Sequence, residues 1–443
     1  MKRLFFSALS LLFTLLPVLA ERSWHGTLQV TPQVKMRIVL NLSDATPPVV
    51  TLDSPDQGAY GIECELRHIS NDSISVAVPS LMVTYDGHIT NSGIDGTFRQ
   101  GGLSLPLSLI SGKEELRRPQ NPQPPFPYSE EEVSIVNDSA PGVTLAGTLT
   151  VPQNVSSATP LVVMVTGSGL QNRDEELMGH RPFAVIADYL ARNGVASLRY
   201  DDRGFGASTG NPSTATTADN AADARAVIDY ARKLNRFGKV GILGHSEGGQ
   251  VAFILGAQSV PDFIVAIGAP AIGGDSILVD QNKRTLRLSG IPDEITERYV
   301  TALGRVLEAV KTDGVQTVSS AAAEACADWP AIPPYTPMRA QLDRLGNDIN
   351  PWMQHFISYS PAADIAATKC PVLVIYGSKD IQVNPEVNAE PMRKLSGEKN
   401  VRVFDGLNHL MQHATTGAVQ EYGEIEETIA PEVLEYITAF IRQ

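Results

Sequence analysis

Hydrophobic and polar positions follow two different patterns along the chain, one before and one after a proline-rich segment. From about residue 23 to residue 110, short runs of β-forming residues alternate with turn pairs such as Asp86-Gly87. This pattern is typical of antiparallel strands joined by tight turns. We therefore predict an N-terminal β-domain over residues 21–115, an antiparallel meander that curls into a small barrel-like fold.

The proline-rich segment, residues 116–130, separates the two patterns. It holds five prolines between Pro119 and Pro127. Because proline lacks a backbone N–H and favours extended geometry, neither a helix nor a sheet ladder continues through such a run. We predict that this segment is a linker between two domains.

The second pattern occupies residues 131–443, where continuous apolar runs such as 161–165 and 371–377 alternate with helical patterns. Apolar strands separated by helices predict an α/β domain with a mostly parallel sheet and helices on both faces. The alternation stops between residues 275 and 359, where the pattern becomes helical and then proline-rich. Since this stretch is too long for a simple connection, we predict an inserted helical cap at 275–359.

The first twenty residues have the pattern of a signal peptide. Lys2 and Arg3 precede an apolar stretch from Leu4 to Ala20 that ends on a small residue. We predict cleavage after Ala20 and an exported protein, periplasmic or secreted, without a membrane span in its mature form. A permanent N-terminal anchor is the alternative.

Composition excludes several classes of function. The 443 residues include 35 Lys and Arg against 49 Asp and Glu, which gives a net charge of −14 and makes nucleic acid an unfavourable partner. The three cysteines, Cys64, Cys326 and Cys370, are too few for a disulfide scaffold and too far apart for a structural zinc site.

Two Gly-x-Ser-x-Gly matches are the first candidates for chemistry, one centred on Ser208 and one on Ser246. A nucleophile elbow requires a strand immediately before the serine and a helix immediately after it. Ser246 has this context, because the apolar run 240–243 precedes it and a helical pattern follows. Ser208 lies beyond the end of its strand, and Pro212 delays any helix. We therefore predict that Ser246 is the nucleophile and Ser208 a loop residue.

A serine nucleophile needs a base and an orienting acid, and in this kind of sheet the acid and then the histidine follow the serine along the chain. Asp380 comes directly after the apolar strand 371–377, and His409 follows the next strand. The carboxyl ends of parallel strands meet at one edge of the sheet, where these side chains would converge. We predict a triad of Ser246, Asp380 and His409.

Other residues near these positions are weaker candidates. Asp405 could serve as the acid, but it follows the strand that already supplies His409. His245 precedes the serine, and the alternation of strand side chains directs it away from the hydroxyl. His413 is four residues past His409, yet no third ligand is close in sequence, so we do not predict a metal site.

Two backbone N–H groups are predicted to bind the oxyanion. One belongs to Glu247, the residue after the nucleophile, and the other to the glycine-rich loop 166–169 that follows the first long apolar strand. Within that loop we predict Ser168 as the donor, with Gly169 as the alternative.

These motifs together resemble those of α/β-hydrolase-fold serine esterases, and more narrowly bacterial exported hydrolases that join a small β-domain to the catalytic domain. The resemblance covers nearly the whole mature chain and rests on six segments: TGSG with QNRDE (166–175), GHRPF (179–183), RYDDRGFGASTG (199–210), GHSEGG (244–249), GSKD (377–380) and GLNH (406–409).

The resemblance implies an α/β-hydrolase fold, hydrolysis of short-chain carboxylic esters, and no metal or organic cofactor. It also implies that Asp201, Asp202 and Arg203 form a buried ion-pair network and are not catalytic. The sequence departs from the family pattern at Thr166, where the loop usually begins His-Gly, and this leaves the second oxyanion donor open.

The predicted function is that of a serine esterase acting on small-molecule esters. A peptidase or amidase with the same triad is the enzymatic alternative. A second alternative is a protein that contacts polysaccharide through its β-domain, although aromatic residues are sparse there: Trp24, Tyr60, Tyr85 and Phe98.

Overall fold

The computed structural model describes residues 22–30, 35–43, 47–57, 59–112, 118–397 and 400–443. The predicted signal peptide at 1–20 lies outside these residues, so it and the export that it implies stay predictions. The described residues divide into two compact units. One consists of the described residues within 22–118 together with 177–179 and 419–426, and the other of those within 119–176, 180–418 and 427–443.

The first unit contains a closed antiparallel barrel in which eight strands follow one another in sequence order. Pairing of Trp24 with Ser111 and of His25 with Ile110 joins the first strand to the last and removes the open edges. The strands are β1 (Arg22–Gln29), β2 (Lys35–Leu42), β3 (Val50–Ser54), β4 (Ala59–Ile69), β5 (Ser73–Val78), β6 (Val83–Ile89), β7 (Gly93–Gln100) and β8 (Leu103–Ser111).

The barrel has its own apolar core, which contains three of the four aromatic residues named above. Trp24, Tyr85 and Phe98 are each at most 4% exposed and pack in one cluster with Leu28 and Leu107. Alternate residues along each strand face this core, as the pattern of the sequence predicts. These three rings stabilise the barrel from inside and are not on the surface where a sugar could stack.

The second unit is built on an eight-stranded sheet with the order β16-β15-β14-β13-β11-β12-β10-β9. All neighbouring strands are parallel except that β10 is antiparallel to both β9 and β12. The strands are β9 (Ser129–Val136), β10 (Thr144–Val151), β11 (Leu161–Val165), β12 (Ala196–Tyr200), β13 (Val240–His245), β14 (Ile264–Ile267), β15 (Val372–Gly377) and β16 (Val401–Phe404).

Helices cover both faces of this sheet, which is why its central strands are apolar throughout. In β11, Val163 packs in the same core cluster as Val251 of one helix, whereas Val162 and Met164 pack on the opposite face with Phe183 of another. The helices outside the cap are α1 (Pro182–Arg192), α2 (Thr217–Lys233), α3 (Glu247–Ala257), α9 (Ala362–Ala367), α10 (Pro385–Ser396), α11 (Val419–Tyr422) and α12 (Pro431–Ile441).

Five helices form a cap between β14 and α9. Their inner faces supply a separate apolar core that includes Tyr299, Val306 and Leu342. The helices are α4 (Gly274–Leu288), α5 (Asp293–Asp313), α6 (Val318–Ala325), α7 (Tyr335–Asp348) and α8 (Pro351–Ser358). The predicted fold class, a mostly parallel sheet with a helical cap preceded by an antiparallel barrel, is thereby confirmed.

Residues 119–128 of the proline-rich segment form neither a helix nor a strand, and side-chain hydrogen bonds attach them to the second unit. The Gln120 amide donates to the Ile429 carbonyl oxygen at 2.8 Å, and the Tyr128 hydroxyl donates to Asp188 on α1 at 2.8 Å. The backbone of this segment is thus held without a sheet or helix ladder. None of the helices in the described part of the chain combines the length and the apolar character that a membrane crossing needs.

Candidate active site

Ser246 occupies the sharp turn between β13 and α3. Its backbone angles, φ 53° and ψ −117°, lie in a region that a residue with a side chain adopts only when its surroundings enforce it. A Cβ atom at Gly244 would lie 2.0 Å from the carbonyl oxygen of Gly248, and one at Gly248 would lie 2.1 Å from that of Val165. Both glycines of the motif are therefore required sterically, and the turn lifts the serine to the carboxyl end of the sheet.

Ser208, the centre of the other Gly-x-Ser-x-Gly match, lies in a loop, as predicted. Its hydroxyl donates to the carbonyl oxygen of Asp201 at 2.7 Å and accepts from the N–H of Ala146 at 2.9 Å. The side chain is buried and fully engaged in holding this loop to β10. It has no geometry for nucleophilic attack.

Asp380 and His409 meet at the carboxyl ends of β15 and β16. His409 Nδ1 and Asp380 Oδ2 are 2.7 Å apart, and both residues are at most 3% exposed. The other carboxylate oxygen, Oδ1, accepts from the N–H groups of Gln382 and Val383 at 2.8 Å each. These bonds fix the carboxylate so that one oxygen remains for the imidazole.

The end of β13, which leads into Ser246, lies beside this Asp–His pair. The rings of His409 and His245, the residue preceding Ser246, have centroids 4.7 Å apart. A Cβ atom at Gly268, where φ is +56°, would lie 3.0 Å from Cε1 of His409, so only glycine leaves room for the imidazole. Ser246 Oγ makes no hydrogen bond to the described residues. In hydrolases without bound substrate, the hydrogen bond between the nucleophile and its base is often long and shortens in the complex with substrate.

The glycine-rich loop after β11 lies against the serine. A Cβ atom at Gly167 would be 3.3 Å from Cβ of Ser246. The N–H of Gly167 already donates to Oε1 of Glu175 at 2.8 Å, whereas Ser168 is exposed at the next position. Glu247 begins α3, so its N–H belongs to the first, unpaired turn of the helix.

The side chain of Glu247 connects the serine turn to the cap. Its carboxylate accepts from the Thr217 hydroxyl at 2.8 Å and from the indole N–H of Trp352 at 2.8 Å to one oxygen and 3.0 Å to the other. Trp352 lies on α8. The cap is thus hydrogen-bonded to the residue that follows the candidate nucleophile.

Of the three residues expected in a buried ion-pair network, Asp201 and Arg203 form ion pairs. Arg203 pairs with Asp223 at 2.6 Å, and Asp201 pairs with Arg173 at 2.9 Å. These three consecutive residues do not pair with one another.

Asp202 instead holds both ends of the glycine-rich loop. It accepts from the hydroxyl of Thr166 and from the N–H of Gln171, both at 2.8 Å. Burial raises the pKa of Asp202 to about 8; the two hydrogen bonds act in the opposite direction, and the charges of Glu247 and Glu175 add to the rise. The expectation of an ion pair is therefore wrong for Asp202, because its nearest polar groups are neutral loop atoms.

We expect Asp202→Asn to flatten the pH dependence of stability. The pKa of Asp202 is about 8 in the folded chain, against about 3.9 in an unfolded one. The folded state binds this proton more tightly, so the contribution is complete below pH 4 and is lost as the pH rises through 8. Denaturant titrations from pH 5 to pH 8.5 should show a variant whose stability relative to the parent improves with pH.

Asp201→Asn is the matched control for this measurement. Burial acts to raise the pKa of Asp201, but Arg173 and two backbone N–H groups lower it below its usual value. This carboxylate stabilises the fold above its unfolded pKa, and its removal should lower stability at neutral pH. Parallel pH profiles for Asp202→Asn and the parent would contradict the assignment.

Sequence reasoning missed a second buried histidine–carboxylate pair. His245 Nδ1 lies 2.8 Å from Oε1 of Glu175, and both side chains are buried. The sequence feature that could have indicated Glu175 is its position in the QNRDE stretch after the glycine-rich loop.

His413, which we did not predict to bind a metal, lies between two carboxylates. Its Nδ1 is 2.9 Å from Glu427 and its Nε2 is 3.2 Å from Glu432.

The sheet order, the serine at the turn after β13 and the Asp–His pair after the two following strands define a hydrolase with the α/β-hydrolase fold. Within that class, the chain belongs to the X-Pro dipeptidyl-peptidase (S15) family, whose model matches residues 141–415. The resemblance to α/β-hydrolase-fold enzymes is confirmed.

The chain is also similar to proteins named as esterases. Esterase EstD of Thermotoga maritima is 26% identical over 318 residues, which cover 70% of this chain and 68% of that protein. Among solved structures, Est1E of Butyrivibrio proteoclasticus is 16% identical, with 70% of this chain and 96% of that one covered and a TM-score of 0.41. An esterase of Pyrococcus furiosus is 17% identical, with 75% and 98% covered and a TM-score of 0.43.

Proposed function

We propose that the protein hydrolyses carboxylic esters, with short-chain acyl esters as the preferred class, through an acyl-enzyme on Ser246. The observation that carries this proposal is the 2.7 Å contact between His409 Nδ1 and the braced carboxylate of Asp380, beside a serine held in a strand-to-helix turn. A carboxylate on Nδ1 leaves Nε2 as the acceptor for a serine proton.

The reaction then follows from these positions. Ser246 Oγ attacks the ester carbonyl carbon while His409 Nε2 takes the hydroxyl proton, and Asp380 stabilises the resulting imidazolium. The N–H groups of Glu247 and Ser168 donate to the oxyanion of the tetrahedral intermediate. His409 protonates the departing alcohol, and the same nitrogen then activates water to release the acid.

The carboxylates around Ser246 favour an ester over a dipeptidyl substrate. An enzyme that removes dipeptides must bind a free α-ammonium group, which calls for an available carboxylate near the serine. Three carboxylates on the elements around Ser246 already have protein partners: Glu175 has Gly167 and His245, Glu247 has Thr217 and Trp352, and Asp202 has Thr166 and Gln171.

The relative from Thermotoga maritima is named an esterase, which agrees with this choice. A peptidase or amidase with the same triad is the alternative within the same family. Since both reactions pass through an acyl-enzyme, only the substrate separates them.

We expect the purified protein to turn over p-nitrophenyl acetate with a higher kcat/KM than glycyl-prolyl-p-nitroanilide. The ester releases p-nitrophenolate and the anilide releases p-nitroaniline. Since both absorb visible light, the two reactions can be followed side by side, each with its own extinction coefficient. Ser246→Ala supplies the blank for each. Anilide turnover above ester turnover would overturn the ester proposal in favour of the peptidase, and a series of longer acyl esters then defines the chain-length preference.

A further inference from the structure

The buried pair of His245 and Glu175 lies directly behind the candidate triad. His245 is the last residue of β13 and is 7% exposed; Glu175 is 4% exposed. His245 Nε2 lies 3.1 Å from the backbone carbonyl oxygen of His409, on the side opposite to the Glu175 contact. Because a carbonyl oxygen only accepts, Nε2 of His245 carries a proton and donates it to this oxygen.

Glu175 connects the same histidine to the glycine-rich loop. Its Oε1 accepts from the N–H of Gly167 at 2.8 Å and lies 2.8 Å from Nδ1 of His245. Desolvation acts to lower the pKa of His245, but the charge and hydrogen bond of Glu175 raise it above its usual value, so the contact is charge-assisted. A short chain of bonds thus runs from Gly167 through Glu175 and His245 to His409.

The backbone of Glu175 is strained, which is further support for a specific role. Its φ is +53°, in the left-handed region that favours glycine, asparagine or aspartate. Such strain persists only where the surrounding contacts over-determine the conformation, and it is concentrated at functional sites. Asp174, the preceding residue, is fixed by ion pairs with Arg181 and Arg199.

We propose that Glu175 and His245 are positioning residues for the hydrolysis: together they hold the glycine-rich loop, the Ser246 turn and the backbone of His409 in their reactive arrangement. Each of these three elements carries one part of the machinery, and each follows a different strand. The pair touches all three elements and acts through them, without contacting substrate. This inference rests on the proposed function, because it assigns a role within that reaction.

The test measures kcat per reactive serine, so that misfolded protein does not count. Glu175→Ala and His245→Ala are titrated with a fluorophosphonate, which labels the activated serine, and assayed with p-nitrophenyl acetate. We expect kcat per titrated site to fall on the order of 100-fold, the cost of misplacing a reacting group by about 1 Å, with little change in KM.

Two further variants separate positioning from bulk stability. Glu175→Gln keeps an oxygen that accepts from Gly167, so it should retain more activity per site than Glu175→Ala. The double variant Glu175→Ala/His245→Ala should be no worse than the worse single variant, because both residues act as one unit. Asp223→Asn is the matched control: Asp223 is a buried carboxylate paired with Arg203, and its replacement should lower Tm while kcat per site stays at the parent value.

A parental kcat per site in Glu175→Ala would overturn the positioning role, as would strictly additive losses in the double variant or an equal loss in Asp223→Asn. Ser246→Ala is run in parallel. If that variant hydrolysed the ester at the parent rate, the proposed function itself would fail, and the two failures are therefore distinguishable.

Discussion

Replacement of Ser246 by alanine is expected to lower kcat for p-nitrophenyl acetate by a factor on the order of 10⁴ to 10⁶, while the protein remains folded. Under the proposed function, Ser246 Oγ is the atom that forms the acyl-enzyme, and alanine lacks it. Alanine should keep the backbone turn, since it differs from serine only in lacking the hydroxyl. Initial rates with Tm measured on the same preparation check this result.

Ser208→Ala is the matched control, because it removes the serine of the second Gly-x-Ser-x-Gly match. The Ser208 hydroxyl holds a loop through Asp201 and Ala146. Its loss removes two hydrogen bonds and should cost about 2 kcal/mol of stability, roughly 1 kcal/mol for each bond. The kcat should stay at the parent value. A larger loss of kcat in Ser208→Ala than in Ser246→Ala would reverse the assignment of the nucleophile.

The second large effect is expected for Asp380→Asn, with kcat reduced on the order of 10⁴-fold at neutral pH. Asp380 Oδ1 accepts from two backbone N–H groups, of Gln382 and Val383, at 2.8 Å. The oxygen of an asparagine must keep this position, so its NH₂ group faces His409 Nδ1. The imidazole proton then moves to Nε2, which can no longer accept the proton of Ser246.

Asp405→Asn tests whether the position of the carboxylate is what matters. Asp405 is exposed, follows β16 and accepts from the hydroxyl of Ser378 at 2.9 Å. From the sequence, Asp405 was the alternative candidate for the orienting acid, but in the structure His409 contacts Asp380. Its replacement should leave kcat at the parent value. Equal losses in both variants would mean that the acid has been misidentified.

The parts of the site that depend on local sequence could be predicted from the sequence. The turn at Ser246 requires glycine at 244 and 248 because their hydrogens face backbone oxygens at close range, and such steric requirements leave a readable motif. Asp380 and His409 could be predicted because they follow apolar strands at the same edge of the sheet. The two-faced packing of the sheet likewise follows from continuous apolar strands between helices.

The supporting contacts could not be predicted, because they join residues that are remote in sequence and carry no local signal. Glu175 and His245 are separated by 70 positions, and Thr166 and Asp202 by 36. Strand alternation predicted that His245 points away from the serine hydroxyl, but it indicated no partner for the imidazole, which the structure places against Glu175 and the His409 carbonyl oxygen. The resemblance placed Asp202 in a buried ion-pair network, whereas in the fold its neighbours Asp201 and Arg203 form the ion pairs, with Arg173 and Asp223.

The aromatic residues of the β-domain illustrate the same limit. From the sequence alone, these rings could have formed a surface on which sugars stack. The closure of the barrel determines which side of each strand faces inward, and therefore where the rings lie. Trp24, Tyr85 and Phe98 all belong to the barrel core. A role of this unit in binding polysaccharide would have to rely on other side chains.

Labelling with a fluorophosphonate followed by peptide mass spectrometry tests directly whether Ser246 is the activated nucleophile. We expect one adduct per chain, on the peptide that contains Ser246, and no adduct in the Asp380→Asn and Ser246→Ala variants within the same reaction time. An adduct on the Ser208 peptide, or undiminished labelling of Ser246→Ala, would contradict this assignment.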